Sequence, residues 1–358
     1  MLEPYGWSSA LQNDFAPHAA AGLVPGRVTV QQRGLYRLIT PSGDLAAGLS
    51  GRLAFEAEAG GYPVAGDWVA AAARPAEGTA TIQAVLPRRT LFRRRAAGPG
   101  EPAAQAVAAN VDLALLLASF NADFNLRRLE RYLAIAWESG AEPVVVLTKA
   151  DAGTDPARVV AAAESVAAGA PVLAVSSLTG QGLAAVRALI RPGRTAVLLG
   201  SSGVGKSTLL NALAGGPVMA TQAIREQDAR GRHTTTHREL VLLPGGGLVL
   251  DTPGMRELGL WDAESGVSAT FADIEALAQQ CRFGDCAHGR EPGCAVRAAL
   301  EEGRLEEARW RSYDKLRREL AHLDRRDDPV ARAEERRRWA RISKAHRGGP
   351  AKRRWDED

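Results

Sequence analysis

Gly200-Ser201-Ser202-Gly203-Val204-Gly205-Lys206-Ser207 lies between an apolar run, Thr195 to Leu199, and a segment of helical spacing, Thr208 to Ala214. A glycine-rich turn that leaves a strand and opens a helix with Lys-Ser is the pattern of a phosphate-cradling loop. Glycines 200, 203 and 205 let the backbone turn without a Cβ, so that amide hydrogens converge on phosphate oxygens. The helix that follows adds the positive end of its dipole. Lys206 supplies a point charge to the β and γ phosphates, and Ser207 a hydroxyl to Mg²⁺. Ser201, Ser202, Val204 and Thr208 complete the stretch expected to touch nucleotide.

The residues upstream of this loop are as telling as the loop. Thr148-Lys149-Ala150-Asp151 ends another apolar run, Pro143 to Leu147, and reads as a guanine selector. The Asp151 carboxylate can accept hydrogen bonds from both N1 and N2 of guanine. Adenine offers no such donor pair and would leave that carboxylate unpaired. Lys149 can lie along the base, and Thr148 stands where asparagine is usual. Ser176-Ser177-Leu178-Thr179-Gly180, after the strand-like Val172 to Val175, suits a loop that offers a backbone amide to guanine O6. In an ordinary GTPase the selector follows the phosphate loop, so the order here is inverted.

Downstream, Asp251-Thr252-Pro253-Gly254 closes the apolar stretch Leu248 to Leu250. Asp251 can hold Mg²⁺ through water, and the Gly254 amide can meet the γ-phosphate. Between loop and Asp251 runs Gly231-Arg232-His233-Thr234-Thr235-Thr236. One of its threonine hydroxyls, with Thr235 favoured over its neighbours, is expected to complete the Mg²⁺ shell in the triphosphate state. Ras-like proteins place a water-orienting glutamine after DxxG. The residue there is Met255, which cannot orient water. Either His233 or another group takes that task, or turnover stays slow until a partner completes the site. A histidine with no catalytic part is the competing reading of His233. The catalytic candidates are therefore Lys206, Thr235 and His233, and slow intrinsic GTP hydrolysis is expected.

Cys281-x4-Cys286-x-His288-x5-Cys294 uses every cysteine of the chain. Three thiolates and one imidazole suit tetrahedral Zn²⁺ in a closed structural site, and four protein ligands leave no open catalytic position. Three cysteines in so long a chain argue against a disulfide framework, and their clustering points to metal.

The chain has 358 residues, 46% of them hydrophobic, and a formal net charge of +4. No cationic start with an apolar core opens it, and its apolar runs are too short to span a bilayer, so a cytoplasmic protein is expected. Charge is clustered at Arg88-Arg89 with Arg93-Arg94-Arg95, and again from Arg336 to Arg354. Solvated faces and nucleic-acid contacts account for such clusters equally well. Residues 1–22 form an N-terminal extension. Residues 23–96 contain short β-like runs (27–30, 35–39, 45–47, 53–55, 67–70 and 79–82) separated by glycine turns, which suggests a small barrel of OB-fold type. A linker is expected at 96–104. Residues 105–260 alternate strand and helix, which implies a mostly parallel sheet covered on both faces. Residues 261–347 are helical and charged around the cysteines, and 348–358 form a tail. The expected fold class is thus multidomain α/β, with barrel, permuted P-loop domain and helical zinc-binding domain in that order.

This set of motifs resembles the circularly permuted ribosome small-subunit-dependent GTPase A family. The resemblance spans about residues 20 to 345 and rests on Asn110-Val111-Asp112, Phe124-Asn125-Leu126, Arg131-Tyr132-Leu133, TKAD, GSSGVGKST, GRHTTTHREL, DTPGMREL and the zinc spacing with Glu291-Pro292-Gly293. It implies an N-terminal OB-fold, a central permuted GTPase and a C-terminal zinc domain. It also implies binding to the 30S subunit and 16S rRNA late in maturation, subunit-stimulated hydrolysis of GTP to GDP, and dissociation. A monomer is the simplest expectation. Alternatives are a permuted GTPase serving another ribosome assembly step, an RNA-binding scaffold gated by nucleotide with little turnover, and a P-loop ATPase or small-molecule kinase.

Overall fold

A computed structural model of the chain describes residues 2–32, 34–57, 61–95, 104–121, 123–153, 155–218, 238–251 and 263–327. His233, Thr235, Gly254, Met255, the basic run from Arg336 and the tail lie outside them, as does the expected linker except for Ala104.

Five strands make the N-terminal barrel: β1 (Val24–Gln32), β2 (Leu35–Thr40), β3 (Gly43–Leu49), β4 (Trp68–Arg74) and β5 (Thr79–Val85). They run in the order β1-β2-β3-β5-β4, and a β1–β4 pairing closes the cylinder. The β3–β5 contact is parallel and the others are antiparallel. Alternating side chains explain the closure. Val28, Leu38, Leu45, Val69 and Ile82 point inward to one core, while Arg37 and Asp44 pair on the outside at 2.8 Å. The expected strand at Leu53–Phe55 is instead helical, in α2 (Gly51–Glu56). The Ser50 hydroxyl accepts from Leu53 N at 3.1 Å, and Arg52 pairs with Glu56 one turn on. An N-cap and an i,i+4 ion pair favour a helix over a lone short strand.

Within the N-terminal extension, residues from Leu2 on pack against the barrel. Helix α1 (Ser9–Ala20) is capped by Ser8 and buries Leu11 and Phe15 against Trp68 and Leu86 of the barrel.

After the barrel, β6 (Leu91–Arg95) and β7 (Ala104–Ala109) pair antiparallel. The parallel sheet follows: β8 (Leu113–Ser119), α3 (Leu126–Ser139), β9 (Glu142–Thr148), α4 (Pro156–Glu164), β10 (Val172–Val175), α5 (Leu183–Leu189), β11 (Thr195–Leu199), α6 (Lys206–Ala214), β12 (Arg238–Leu242) and β13 (Leu248–Asp251). Its order is β10-β9-β8-β11-β13-β12, and only β12 is antiparallel. Both faces are buried, as continuous apolar strands require. Leu116, Val145, Val197 and Leu250 face α3 and α4; Leu115, Val146, Leu198 and Val249 face α5 and α6.

Barrel and sheet are joined by β1. Its first half pairs with β4, a bulge lies between Val28 and Val30, and its end pairs with β12 through Val30–Glu239 and Gln31–Arg238. The seam is fixed by Arg27, which is fully buried. Its guanidinium donates to the carbonyls of Tyr5, Gly66 (3.3 Å) and Asn110 (3.2 Å) and to Thr195 Oγ1 (2.8 Å). Gly66, at φ +91°, presses so closely that a Cβ there would sit 2.2 Å from the Ala109 carbonyl.

The C-terminal module holds α7 (Glu264–Thr270), α8 (Ala272–Ala278), α9 (Ala295–Glu301) and α10 (Glu307–Asp327). Among the described residues it shares the core of the GTPase sheet rather than forming one of its own. Phe271, Ile274, Val296, Tyr313, Leu316 and Leu320 join the same cluster as Leu129 and Leu133 of α3. The buried Glu130 carboxylate on α3 accepts from Arg127 (2.6 Å), Arg309 (3.0 Å) and Ser312 (2.5 Å), and Arg131 makes a two-pronged pair with Glu319. Among the described residues no helix is long and apolar enough to cross a membrane.

Candidate functional site

The phosphate loop leaves β11 in the middle of the sheet, at the C-terminal edge of the parallel strands, where open α/β sheets place ligands. Gly200 touches its neighbours so tightly that a Cβ would lie 2.9 Å from the Leu117 carbonyl and from Val204 Cγ1. Gly203 (φ +73°) and Gly205 (φ +105°) adopt the left-handed conformation that glycine tolerates. Val204 plugs into the core on the α5/α6 side and anchors the turn. Lys206 opens α6, and its ammonium donates to the carbonyls of Gly200 (2.7 Å) and Ser201 (2.6 Å), within the turn of the loop. Ser207 and Thr208 follow on the first turn of α6, and Ser202 is exposed on the loop.

The inverted sequence order is undone in space. Strand β9, which carries the selector, is separated from β11 only by β8. The Thr148 hydroxyl, buried at the end of β9, lies 2.6 Å from the Val204 carbonyl and 3.2 Å from the Ala118 carbonyl. One hydroxyl hydrogen serves one acceptor at a time, and the shorter contact is to the phosphate loop. Lys149 takes a left-handed backbone (φ +61°), and its ammonium donates to the Gly203 carbonyl at 2.9 Å. The selector strand therefore grips the phosphate loop twice.

Asp151 sits in a short 3-10 turn, Ala150–Ala152. Its Oδ1 accepts from the Ser176 hydroxyl at 2.5 Å, and Ser176 Oγ in turn accepts from Thr179 N at 3.2 Å. Ser176 is fully buried at the end of β10, the strand next to β9, while Ser177 is half-buried. Sequence reasoning valued this serine loop for a backbone amide and missed the hydroxyl that orients Asp151. The legible signal was position: Val175 and Thr148 are paired across β10 and β9, so the residues that follow them emerge side by side.

Asp251 is the last residue of β13, the strand beside β11. Ser207 and Asp251 thus come from the two elements that flank the end of β11, and their oxygens are of the hard type that suits Mg²⁺.

The second constellation is the metal cluster. The ligand atoms of Cys281, Cys286, His288 and Cys294 all lie within 4.8 Å of one another. His288 Nδ1 is 3.6 Å from Cys281 Sγ and 3.5 Å from Cys294 Sγ, and the two sulfurs are 3.9 Å apart. Tetrahedral Zn²⁺, with bonds of about 2.3 Å to sulfur and about 2.0 Å to nitrogen, separates its ligand atoms by roughly 3.5–3.8 Å. The residues therefore fit the ion. His288 reaches the cluster from a left-handed backbone (φ +58°), with its ring edge-on to Trp310 of α10. Glu291 tightens the turn by accepting from Ala287 N at 3.2 Å.

The structure splits the first arginine cluster. Arg88 is internal: it forks onto the fully buried Asp67 carboxylate at 2.9 and 2.8 Å. Arg89 stays more than half exposed, 3.5 Å from Asp112. Arg93 is exposed.

Residues 85–261 match the family model described as RsgA GTPase. The chain is 47% identical over 356 residues, 97% of both chains, to the small ribosomal subunit biogenesis GTPase RsgA of Opitutus terrae. The chain belongs to the RsgA GTPase family. The protein of the same name from Streptomyces avermitilis is 49% identical, over 95% of this chain and 91% of its own. Among solved structures, YjeQ from Thermotoga maritima matches with a TM-score of 0.62 and 27% identity, covering 84% of this chain and 99% of that one. YloQ, described as a circularly permuted GTPase, matches with a TM-score of 0.59 and 25% identity over 84% and 96%. Family membership makes the chain a GTP hydrolase, and the structure joins its circularly permuted GTPase fold to an N-terminal barrel.

Proposed function

We propose that this protein binds the small (30S) ribosomal subunit late in its maturation, hydrolyses GTP there with stimulation by the subunit, and dissociates. The observation that carries the nucleotide half of this reading is the pair of bonds from Thr148 and Lys149 to the phosphate loop. They bring a carboxylate suited to guanine and an ammonium suited to phosphate to one edge of one sheet. The ribosomal half is supported by the name its relatives share.

In this reading Asp151 selects guanine, with Ser176 holding its carboxylate and Lys149 lying along the base. The amides of 201–206 and the Lys206 ammonium receive the phosphates. Ser207, Asp251 and Thr235 would hold Mg²⁺, which when bound neutralises charge on the β and γ phosphates. His233 remains the candidate for orienting water. Lacking a glutamine at Met255, the site turns over slowly by itself, and the subunit supplies what is missing. Zn²⁺ held by Cys281, Cys286, His288 and Cys294 staples the C-terminal module. That module and the barrel at the opposite end contact 16S rRNA. The protein acts as a monomer in the cytoplasm.

The test is GTP turnover by purified protein alone, with small subunits and with large subunits, beside Lys206→Ala. Stimulation by small subunits only, abolished in the variant, is expected. Equal stimulation by both subunits points to another assembly step, and no stimulation by either points to the scaffold reading.

A further inference from the structure

A hydrogen-bonded strut joins the residues just before α3 to the first half of the phosphate loop. The Ser201 hydroxyl donates to Asp123 Oδ2 at 2.8 Å, and Arg128 Nη1 donates to the same oxygen at 2.8 Å. Arg128 stands in the first turn of α3, where its amide is capped by Asn125 Oδ1 at 3.0 Å. Asp123 is therefore fixed between the start of a helix and the nucleotide loop. The Arg128 ion pair and the Ser201 bond hold its carboxyl below the usual carboxylate range.

Ser201 faces two ways. Its side chain is held by Asp123, and its carbonyl receives the Lys206 ammonium at 2.6 Å. The other half of the loop is held separately, at Gly203 by Lys149 and at Val204 by Thr148. Neither of those bonds restrains the peptide against which Lys206 rests. A bare carboxylate beside a polyanion site would repel its ligand, and the Arg128 pair offsets that charge.

We propose that Asp123 is a positioning residue for Lys206: by holding the Ser201 side chain it fixes the peptide that carries the phosphate-binding ammonium, with Arg128 balancing its charge. The proposal rests on the reading that this loop binds GTP.

Equilibrium binding of a fluorescent GTP analogue to the full chain with Mg²⁺, with ATP as competitor and a melting curve for each variant, tests it. Asp123→Ala should weaken binding about tenfold, the scale of one lost charge-assisted hydrogen bond. Asp123→Asn keeps an acceptor for Ser201 and should stay within about threefold of the wild type. Ser201→Ala combined with Asp123→Ala should be no weaker than Asp123→Ala alone, because both remove one contact. The preference for GTP over ATP, set at Asp151, should not change. An Asp123→Ala affinity within twofold of wild type would overturn the proposal, as would a double variant whose loss is the product of the single losses. A fall in melting temperature and base selectivity together would show that Asp123 merely supports the fold, and would overturn it too. Failure of the wild type to bind any guanine nucleotide would bring down the underlying reading instead.

Discussion

The Thr148 hydroxyl, from the strand that carries the base selector, lies 2.6 Å from the Val204 carbonyl in the phosphate loop. These residues are remote in sequence and stand in reversed order relative to an ordinary GTPase, yet the ends of β9 and β11, with only β8 between them, suffice to join them. Asparagine would reach the loop with a longer amide. Threonine reaches it because Val204 is itself drawn into the core and presents its carbonyl close to β9.

Thr148→Val tests that bond with little change of shape. The methyl that replaces the hydroxyl leaves a carbonyl in a buried setting without its donor, which costs about 1–3 kcal/mol. Nucleotide affinity should drop by about fivefold to a hundredfold on that scale. Thr148→Ser should retain most of it. Titration of a fluorescent GDP analogue reads both, and equal affinities for wild type and Thr148→Val would show that the bond is idle.

Much of this architecture was legible from local chemistry. The phosphate loop, the selector and the cysteine spacing are short patterns whose function dictates their residues, so their presence survives any rearrangement of the chain. What escaped sequence reasoning depends on tertiary neighbours. Leu53–Phe55 reads as a short apolar run of the kind that strands use, but the Ser50 cap and the Arg52–Glu56 pair make it a helix. Residues 1–22 show no pattern because α1 is only a lid over Trp68 and Leu86. Arg88 and Arg93 look alike in a basic run, and only the fold shows that one is committed to buried Asp67 while the other faces solvent. The Ser176–Asp151 bond needed the register of β9 and β10.

That bond bears on base choice. Asp151→Asn replaces a double acceptor with one donor and one acceptor, so one guanine N–H meets an N–H. Loss of GTP affinity of at least about a hundredfold is expected. Xanthine carries a carbonyl where guanine carries its amino group, so the variant should favour the xanthine nucleotide. Competition between GTP and XTP for one fluorescent analogue measures both effects, and unchanged GTP affinity would remove Asp151 from the base site.

At the seam, Arg27 offers a stability prediction with a defined pH dependence. Arg27→Met keeps much of the volume but strips the donors from the carbonyls of Gly66 and Asn110 and from Thr195. Each buried acceptor left without its donor costs about 1–3 kcal/mol. Burial, opposed by the Asp112 charge, pulls the guanidinium down to about 10. A cation whose folded value is depressed keeps its full desolvation penalty below that value, and the penalty is relieved only as pH rises through it. The difference in stability between wild type and variant should therefore be constant from about pH 6 to about pH 9. Urea unfolding across that range checks both the size and the flatness.

The metal cluster separates folding from catalysis. Cys294 lies almost fully buried at the start of α9, where its sulfur also accepts from Arg297 N at 3.5 Å, and it shares the core that α3 presents to the module. Cys294→Ser should lose the ion, loosen α8 and α9, and lower the melting temperature, because metal-binding energy is folding energy in so small a module. The proposed nucleotide site stands on β9, β10, β11 and α6, and none of the four metal-cluster residues lies on those elements. GTP affinity should accordingly remain within about threefold of wild type, well under the 1.4 kcal/mol that a tenfold change represents. If the module docks on the subunit as proposed, stimulation by small ribosomal subunits should fall by more than about tenfold while the chemistry is kept. Metal content, nucleotide affinity and stimulated turnover of one preparation decide the matter. A variant that loses zinc yet keeps full stimulation would mean that the module does not dock, and equal loss of nucleotide affinity would mean that the shared core on α3 carries the damage to the phosphate loop.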